Sequence, residues 1–561
     1  MQIEKRAREW LQDPFDEQTK SEVRRLIETD PQGLSDAFFK ELSFGTGGMR
    51  GLMGVGTNRL NIYTIRAATQ GLANYLKKQP EPEQGFSVFI GYDVRHNSRL
   101  FAEETARVLA ANEIHVLLTK DICPTPLVSY GCRHYGCSAA VMITASHNPP
   151  QYNGYKVYWS DGGQIVPPHD EGIIREVRAV RSLADIPTVP LSSPLIRSIG
   201  TELDTAYLSE LKSLQLYPEL AGSPLKILYT PLHGTGIRII PQALKSWGYQ
   251  HVHLVEEQKT PDGNFPHAAS PNPEEHKALE IGTRKLLKDK LDLLIATDPD
   301  ADRIGVVAAG EKLTGNQIAC ICLFHICCAL QLQQKFPPNA AFIKTIVTTE
   351  LFRAIATSFN AACIDVLTGF KYIGEQITLW ENSFDAYQFL FGAEESYGYL
   401  FGTQVRDKDA ISSACLIAEA AALAKKQNLT LVDRLYQIYQ KFGVYRESLD
   451  TLVFTDSAEG MKQMSALMKR LRTHPPSSIA HQSVVSIEDY STGKLPLPKS
   501  DVLRFWLQDG TKLVIRPSGT EPKIKLYIEV VQKEPKDINH SIVACDQRLK
   551  ILAESFQKDL R

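Results

Sequence analysis

The feature that most constrains the fold is a pattern that recurs along the chain. A short apolar run is followed by a polar or glycine-rich loop and then by an amphipathic stretch. This alternation of strand, loop and helix predicts α/β units with mainly parallel sheets. The runs predicted to be strands are Ser87–Tyr92, Ala139–Thr144, Lys226–Tyr229, Leu291–Thr297, Ala341–Val347 and Phe389–Phe391.

Two parts of the chain depart from this pattern. Residues 1–43 place apolar among charged positions at helical spacing, which predicts helices. Near the C-terminus, the runs Lys512–Arg516 and Ile524–Val530 flank a tight loop, which predicts antiparallel strands in an α+β domain. A length of 561 residues corresponds to about three or four domains.

The charge balance excludes two classes of function. The chain carries 62 basic and 64 acidic residues, so its formal net charge is −2. A generic nucleic-acid binder would carry a clear basic excess, as would a polybasic membrane tether. The N-terminus is charged from Glu4 onward and lacks the apolar core of a signal peptide, and the chain has ten cysteines. We therefore expect reduced thiols and a cytoplasmic location.

The most apolar stretch, Ile318–Leu330, contains four cysteines, at positions 320, 322, 327 and 328. It is too short to span a bilayer, so we predict a buried helix. A zinc site is the alternative, but the cysteines lack paired Cys-x-x-Cys knuckles and have apolar neighbours, which favours the core helix.

The first motif with chemical potential is residues 144–149, TASHNP, directly after an apolar run. In open α/β sheets, ligands bind beyond the carboxyl ends of strands. The Ser146 hydroxyl, with His147 and the later Lys156, could carry a phosphoryl group. A turn that simply ends the strand is the alternative. A hydrolase is disfavoured because the Gly-x-Ser-x-Gly elbow is missing.

The second motif is Asp298-Pro-Asp300-Ala-Asp302-Arg303. Three carboxylates at alternate positions of extended backbone can point the same way, which suits a hard divalent cation with oxygen ligands. An EF-hand is excluded, because its sixth and twelfth positions would be Arg303 and Ala309 instead of glycine and glutamate. A solvated acidic loop remains the alternative.

Three further loops carry polar groups. Residues 392–398, GAEESYG, could bond sugar hydroxyls or could merely cap a helix. Residues 516–523, RPSGTEPK, combine a forked donor, hydroxyls and a glycine, as a phosphate cradle would; a plain hairpin is the alternative. The glycine-rich loop 44–51 lacks the Lys-Ser/Thr of a P-loop, and Arg50 is its residue of interest.

Taken together, these motifs resemble the α-D-phosphohexomutase superfamily, which includes phosphoglucomutases and phosphomannomutases. TASHNP, DPDADR, an EES loop and RPSGTEP occur in the family's order over nearly the whole chain. The stretches FGTGGMRG, NGYKVYW, PDGNFP and TGFKYIG are similar to the phosphoglucomutase/phosphopentomutase branch. The resemblance implies an α/β protein with three similar mixed α/β domains and a smaller C-terminal α+β domain around a central cleft. We predict these domains at residues 1–205, 206–322, 323–445 and 446–561.

The resemblance also implies roles for individual residues. Ser146 would be the phosphorylated serine, and its phosphate would join Asp298, Asp300 and Asp302 in holding Mg²⁺. The remaining catalytic residues would be Arg50, His147, Lys156 and Lys408. The substrate-binding residues would be Arg303, Gly369, Lys371, Glu394, Ser396, Arg516, Ser518, Gly519 and Thr520, the last four holding the phosphate that is not reacting.

The activity implied by the resemblance is interconversion of glucose 1-phosphate and glucose 6-phosphate through a phosphoserine and a bisphosphorylated sugar, with glucose 1,6-bisphosphate as activator. Mannose or pentose phosphates are alternative substrates, since Tyr397-Gly398 departs from the pattern of many hexomutases. A non-catalytic sugar-phosphate sensor is a less favoured alternative, because a sensor needs no phosphoryl carrier. The expected partners are small sugar phosphates, with no nucleic acid and no membrane, and the expected state is a monomer or weak homodimer.

Overall fold

The computed structural model describes residues 2–45, 47–180, 182–183, 186–455, 457–518 and 522–560. Contacts between residues divide the chain into two compact units. The first comprises Met1–Gly315, Phe370–Gly392 and Ser396–Gln427, and the second comprises Asn316–Gly369, Ala393–Glu395 and Asn428–Arg561. This division is coarser than the four predicted domains, whose boundaries stay a prediction.

Helices open the first unit, as their spacing predicted. They are α1 (Gln2–Glu9), α2 (Glu17–Thr29) and α3 (Pro31–Phe38). Their apolar faces pack into a small cluster around Trp10, Phe15 and Phe38, with Tyr63 from the next helix. These helices thus bury their apolar faces largely against one another.

The first sheet has six strands, and its centre is parallel while one edge is antiparallel. The strands are β1 (Gly48–Leu52), β2 (Ser87–Tyr92), β3 (His115–Thr119), β4 (Ala139–Ile143), β5 (Tyr152–Trp159) and β6 (Ile196–Ile199). Their order is β1-β5-β4-β2-β3-β6, and β1 and β5 run antiparallel to their neighbours. The helices between them are α4 (Ile62–Leu76), α5 (Ser98–Ala111), α6 (Thr125–His134) and α7 (His169–Ala179). Every residue of β4 is buried, as expected of a central strand in a covered sheet.

The second sheet, also in the first unit, repeats this plan with five strands. They are β7 (Lys226–Thr230), β8 (His251–Leu254), β9 (Leu293–Thr297), β10 (Ile304–Ala308) and β11 (Glu311–Leu313). Their order is β11-β10-β9-β7-β8; β7, β8 and β9 are parallel, and β10 and β11 are antiparallel. The helices are α8 (Glu202–Ser213), α9 (Ile240–Ser246) and α10 (His276–Lys288). The predicted parallel arrangement therefore holds for the sheet centres, while one edge of each sheet is antiparallel.

The next stretch of chain belongs partly to each unit. Its strands are β12 (Ala340–Thr345), β13 (Ala362–Val366), β14 (Gln388–Glu394) and β15 (Gly398–Phe401), and its helices are α11 (Gly315–Leu332), α12 (Glu350–Ser358), α13 (Lys371–Glu381), α14 (Ala410–Lys426) and α15 (Leu431–Phe442). Within the second unit, β12 and β13 pair in parallel. Helix α11 extends the apolar stretch 318–330 at both ends to 18 residues, so the prediction that it is too short to cross a membrane was wrong. The predicted burial is confirmed, because 67% of the helix is buried, as in the core helix of a soluble protein, and the helix is weak evidence for a membrane.

The C-terminal part of the second unit is a six-stranded antiparallel sheet, which confirms the predicted strand direction. Its strands are β16 (Val444–Val453), β17 (Ser478–Ile479), β18 (Gln482–Asp489), β19 (Leu503–Leu507), β20 (Lys512–Pro517) and β21 (Lys523–Gln532), in the order β16-β21-β20-β19-β18-β17. Two helices, α16 (Ala458–Thr473) and α17 (Ile538–Leu560), accompany it. Short 3-10 helices lie at Pro218–Leu220, Thr235–Arg238, Glu256–Gln258 and Tyr490–Thr492.

Buried charges join this C-terminal sheet to the first turn of α12 within the second unit. Lys512 on β20 lies 3.1 Å from Glu350 and 3.5 Å from Glu529 on β21. The backbone N–H of Glu350 donates to Glu529 at 2.9 Å. Burial outweighs the nearby Lys512 charge and raises the pKa of Glu529 to about 7. The second unit thus contains a titratable carboxyl group within its core.

Candidate active site

Ser146 stands at the carboxyl end of β4 in a constrained conformation. Its φ is 52°, in the left-handed region that residues other than glycine seldom adopt, and its side chain is buried. The Thr144 hydroxyl accepts the Ser146 N–H at 2.8 Å. Ser146 Oγ donates to Oδ2 of Asp298 at 2.7 Å and lies 3.2 Å from Nδ1 of His147. The hydroxyl is thereby held against the second motif, which lies 152 residues later in the chain.

The turn after β9 presents the three aspartates of that motif. All three are buried, and the group can offer ligand atoms that lie within 4.8 Å of one another. Oδ1 of Asp298 accepts the backbone N–H groups of Asp302 and Arg303 at 3.1 and 2.9 Å, which closes the turn. Among the described residues, this is the only cluster of acidic, histidine or cysteine side chains that could hold a metal ion.

Two lysines offset the aspartate charges. Lys156 lies 2.7 Å from Asp300 and 3.1 Å from Asp302, and Lys408 lies 3.3 Å from Asp302. Burial would raise the pKa of Asp300, but the Lys156 charge and hydrogen bonds with Asp298, Lys156 and Thr125 together outweigh it and hold that pKa below its usual range. Burial and the two neighbouring carboxylates raise the pKa of Asp298 well above its usual value.

The donor set fits a hard divalent cation. One oxygen of Asp300 and one of Asp302, Oδ1 in each, are buried without a hydrogen-bond partner in the described part of the chain. Buried carboxylate oxygens are rarely left unpaired in native proteins, and oxygen ligands of this kind are those that Mg²⁺ and Ca²⁺ prefer. The three aspartates that the sequence singled out can therefore form a metal site.

Thr125, at the start of α6, hydrogen-bonds the turn of residues 298–303, which we call the metal loop. The sequence did not point to this threonine. Its backbone N–H donates to the carbonyl of Asp300 at 2.8 Å, and its hydroxyl donates to Oδ2 of Asp300, also at 2.8 Å. Nothing in the local sequence distinguishes this threonine from others that begin a helix. Only the contact across 175 residues of sequence reveals it.

Asp93 and Arg95, just after β2, were also missed. Arg95 donates to the backbone carbonyls of Ser146 and Asn148 at 2.6 and 2.5 Å. Asp93 accepts the Thr144 hydroxyl at 2.6 Å. A signal was present in the sequence, because both residues follow a predicted strand, which is the position that drew attention to Ser146 and Asp298.

The other predicted basic residues of the first unit lie around the same two loops. Arg50 donates to the Asn148 side chain at 3.0 Å. Arg303 pairs with Glu274 and donates to the backbone carbonyl of Ser396 at 3.1 Å. These contacts place Arg50 at the loop of Ser146 and Arg303 beside Glu274 and Ser396.

His147 is not a cation at neutral pH. Burial, together with the Arg303 and Arg50 charges, lowers the pKa of His147 to about 3. The imidazole beside Ser146 Oγ is therefore neutral, and it can hydrogen-bond the hydroxyl but adds no positive charge. Lys371, at the start of α13, lies 3.7 Å from Asp170, so it is neutralised by a carboxylate in this structure.

The remaining predicted binding residues lie in the second unit. Glu394 accepts the backbone N–H of Gly369 at 2.9 Å. Arg516 is the second-to-last residue of β20 and pairs with Lys525 on β21, and the Ser518 N–H donates to the Lys523 carbonyl at 2.8 Å. Gly519 and Thr520 lie outside the described residues. The roles of all these residues stay predictions.

Comparison with known proteins adds the family context. Models of the family "Phosphoglucomutase/phosphomannomutase" match residues 41–183 (alpha/beta/alpha domain I), 205–311 (domain II), 314–442 (domain III) and 455–542 (C-terminal domain). These matches confirm the predicted fold class of three α/β domains and a C-terminal domain.

Curated relatives match over almost their whole length. A phosphoglucomutase of Staphylococcus aureus is 37% identical over 528 residues, which cover 91% of this chain and 93% of the relative. One from Staphylococcus haemolyticus is 38% identical, with 88% and 91% covered. Among solved structures, a putative phosphomannomutase from Thermus thermophilus has a TM-score of 0.68 at 22% identity and covers 92% of this chain and 99% of its own. The open form of Paramecium parafusin has a TM-score of 0.67 at 17% identity, with 92% and 95% covered.

Proposed function

The chain belongs to the phosphoglucomutase/phosphomannomutase family, and on that premise we propose that it is an isomerase that interconverts glucose 1-phosphate and glucose 6-phosphate. Such an enzyme is an intramolecular phosphotransferase of carbohydrate metabolism. The observation that carries the proposal is the contact between Ser146 Oγ and Asp298 at 2.7 Å, beside the clustered carboxylates of Asp300 and Asp302. A phosphoryl carrier next to a metal site is what the reaction requires.

Ser146 acts as the phosphoryl carrier. Phosphorylated Ser146 gives its phosphoryl group to the free hydroxyl of a sugar monophosphate, which forms a bisphosphate. The bisphosphate then reverses its orientation in the active site and returns its other phosphate to Ser146. Lys156 and Lys408 lie beside the metal loop and offset negative charge near the transferring group, since catalysis of phosphoryl transfer is mostly positioning and electrostatic stabilisation.

The metal that best suits this site is Mg²⁺. Asp298, Asp300 and Asp302, together with an oxygen of the phosphoserine, would hold it, and the bound ion would offset charge on the transferring phosphoryl group. The small bisphosphate glucose 1,6-bisphosphate would act as activator by phosphorylating Ser146.

The sugar itself is held by residues outside the carrier and metal loops. Glu394 and Ser396 bond sugar hydroxyls, while Gly369 and Lys371 belong to the loop that senses the sugar's orientation. Arg516, Ser518, Gly519 and Thr520 hold the phosphate that is not reacting. The substrates are thus free sugar phosphates, and the near-neutral charge of the chain supports neither a nucleic-acid nor a membrane partner.

We also propose that the enzyme is cytoplasmic and that it is a monomer or weak homodimer. All ten cysteines are free thiols in the structure, as is usual for proteins of a reducing compartment. A reducing cytoplasm is therefore the environment that this chain suits best.

The test is a coupled assay on glucose, mannose, ribose and deoxyribose 1-phosphates, with Ser146→Ala as the control. We expect glucose 1-phosphate to have the highest kcat/KM and the control to be inactive. If mannose 1-phosphate or a pentose phosphate gave the highest kcat/KM, that compound would be the preferred substrate instead of glucose 1-phosphate. Binding of sugar phosphates without turnover of any would identify a sensor instead of an enzyme.

A further inference from the structure

The buried guanidinium of Arg95 donates hydrogen bonds to several backbone carbonyls around the loop that carries Ser146. Besides the bonds to the carbonyls of Ser146 and Asn148, Arg95 Nη1 donates to the carbonyls of Pro149 and Tyr152 at 2.8 and 3.1 Å. The Arg95 side chain is fully buried. Four backbone carbonyls, three in the loop after β4 and one at the start of β5, therefore accept hydrogen bonds from one side chain, although the Pro149 carbonyl also accepts the Tyr152 N–H at 3.0 Å. A buried carbonyl that loses its donor is costly.

Asp93 links the same guanidinium to Ser146 by a second route. Its carboxylate lies 3.2 Å from Nε of Arg95 and accepts the hydroxyls of Thr144 and Ser98, both at 2.6 Å. The Thr144 oxygen in turn accepts the N–H of Ser146 at 2.8 Å. This chain of hydrogen bonds reaches the one residue of the loop that has a left-handed backbone.

Arg95 and its neighbours also contact residues 261–266, PDGNFP, a motif that the proposed mechanism does not use. The ring of Phe265, which is buried, lies 5.1 Å from the Arg95 guanidinium carbon. A Cβ atom added at Gly263 would come within 2.9 Å of the Val94 carbonyl and 3.0 Å of the His96 N–H. The Asn264 side chain lies 2.8 Å from Nε2 of His96.

We propose that Arg95 is a positioning residue for Ser146 and that the loop 261–266 holds Arg95 in place. The loop packs Phe265 against the guanidinium and seats the segment 94–96 through Gly263, so that Arg95 keeps its four carbonyl bonds and Ser146 keeps its strained conformation. This inference rests on the proposed function for its catalytic consequence, but not for its structural one.

The expected consequence is a loss of kcat without a matching change in KM. Phe265 and Gly263 contact Arg95 and the segment 94–96, which support the Ser146 loop. A nucleophile displaced by about 1 Å can lose roughly a hundredfold in rate, while ground-state binding is spared. A purely structural role would lower the melting temperature and leave the kcat of the folded enzyme unchanged.

The test compares two variants with two matched controls in the full-length enzyme. Phe265→Leu removes the aromatic face, and Gly263→Ala adds a methyl group against backbone. Phe38→Leu makes the same change at a buried phenylalanine in the N-terminal helices, and Gly282→Ala adds a methyl group whose three nearest atoms all belong to the side chain of Leu294 rather than to backbone. Kinetics on glucose 1-phosphate, melting temperature and hydrogen–deuterium exchange of residues 144–152 are measured for all four.

We expect Phe265→Leu and Gly263→Ala to lower kcat about tenfold to a hundredfold, with KM changed less than about threefold, and to speed exchange in the loop 144–152. The controls should have a lower melting temperature but unchanged kcat, KM and exchange in the loop 144–152. Arg95→Lys, which keeps the charge but not the fork of donors, should behave like Phe265→Leu.

Variants that match their controls in kcat and in loop exchange would overturn the proposal. A wild-type enzyme without mutase activity would overturn the proposed function instead. In that case loop exchange still decides whether the loop 261–266 positions Ser146, because this measurement needs no substrate.

Discussion

Replacing Thr125 with valine should weaken metal binding while leaving the shape of the site almost unchanged. The hydroxyl that donates to Asp300 Oδ2 at 2.8 Å is lost, but the backbone bond from Thr125 to the Asp300 carbonyl is kept. Lys156 then remains as the hydrogen-bond partner of that oxygen, at 2.7 Å. The carboxylate loses the group that orients it, and it is drawn toward the lysine.

The size of the effect follows from the charge on the acceptor. A hydrogen bond to an ionised group contributes about 1.5–3 kcal/mol, which corresponds to roughly a 10- to 150-fold change in an equilibrium constant. Loss of a group that orients a metal ligand typically costs about 10- to 100-fold in metal affinity. We therefore expect the half-saturating Mg²⁺ concentration of Thr125→Val to rise about 10- to 100-fold.

The assay is mutase activity as a function of Mg²⁺, together with calorimetric titration of Mg²⁺ into each protein. Thr119→Val is the matched control, because the Thr119 hydroxyl is buried without a hydrogen-bond partner in the described part of the chain. Equal Mg²⁺ dependence in Thr125→Val and Thr119→Val would refute the reasoning. So would a defect that saturating Mg²⁺ fails to restore, since the hydroxyl would then act on something other than the metal.

Three further predictions concern other residues. Ser146→Ala should abolish turnover, and its intact mass after incubation with glucose 1,6-bisphosphate should show no added phosphoryl group, whereas the wild type gains one; near-normal turnover would contradict a phosphoserine mechanism. Arg516→Ala should lower kcat/KM about ten- to a hundredfold, mainly through KM, if Arg516 grips the distal phosphate with a charge-assisted bond, and unchanged kinetics would mark an ordinary hairpin. The raised pKa of Glu529, about 7 in the folded chain against 4.5 for the free group, means that the native carboxyl keeps a proton that the unfolded one has released. Its contribution to stability is therefore full below pH 4.5 and falls by up to about 3 kcal/mol as the pH rises to 7. Glu529→Gln should remove this slope from unfolding curves recorded between pH 4.5 and 8, and equal slopes would contradict it.

The central strands of the α/β sheets could be predicted from the sequence, but the edge strands could not. Buried strands such as β2 and β9 are continuous apolar runs, because both of their faces are covered. Strand β1, GMRGL, has no such run, and it is a strand because β5 offers it a partner. Antiparallel edges of this kind depend on contacts with distant chain segments, which local periodicity does not encode.

The residues of the site also fall into those that the sequence predicts and those that it does not. Ser146 and the three aspartates stood out because reactive groups cluster at strand ends in recognisable local patterns. Thr125, Asp93 and Arg95 act through contacts with those residues, and such second-layer contacts are defined only when the chain has folded. Arg95 could have been suspected from its place after β2, whereas Thr125 could not.

The contact between Ser146 and Asp298 has a consequence for how the protein is made. At about 5–20 residues per second, a ribosome needs roughly 8–30 seconds to add the 152 residues that separate the two. During this interval the strands and helices around Ser146 can fold as a unit, but the hydroxyl has neither its carboxylate acceptor nor the metal loop beside it. On the proposed mechanism, Ser146 in a nascent chain of this length would lack the aspartates that phosphoryl transfer requires, and it would become competent only when the later part of the chain has folded against it.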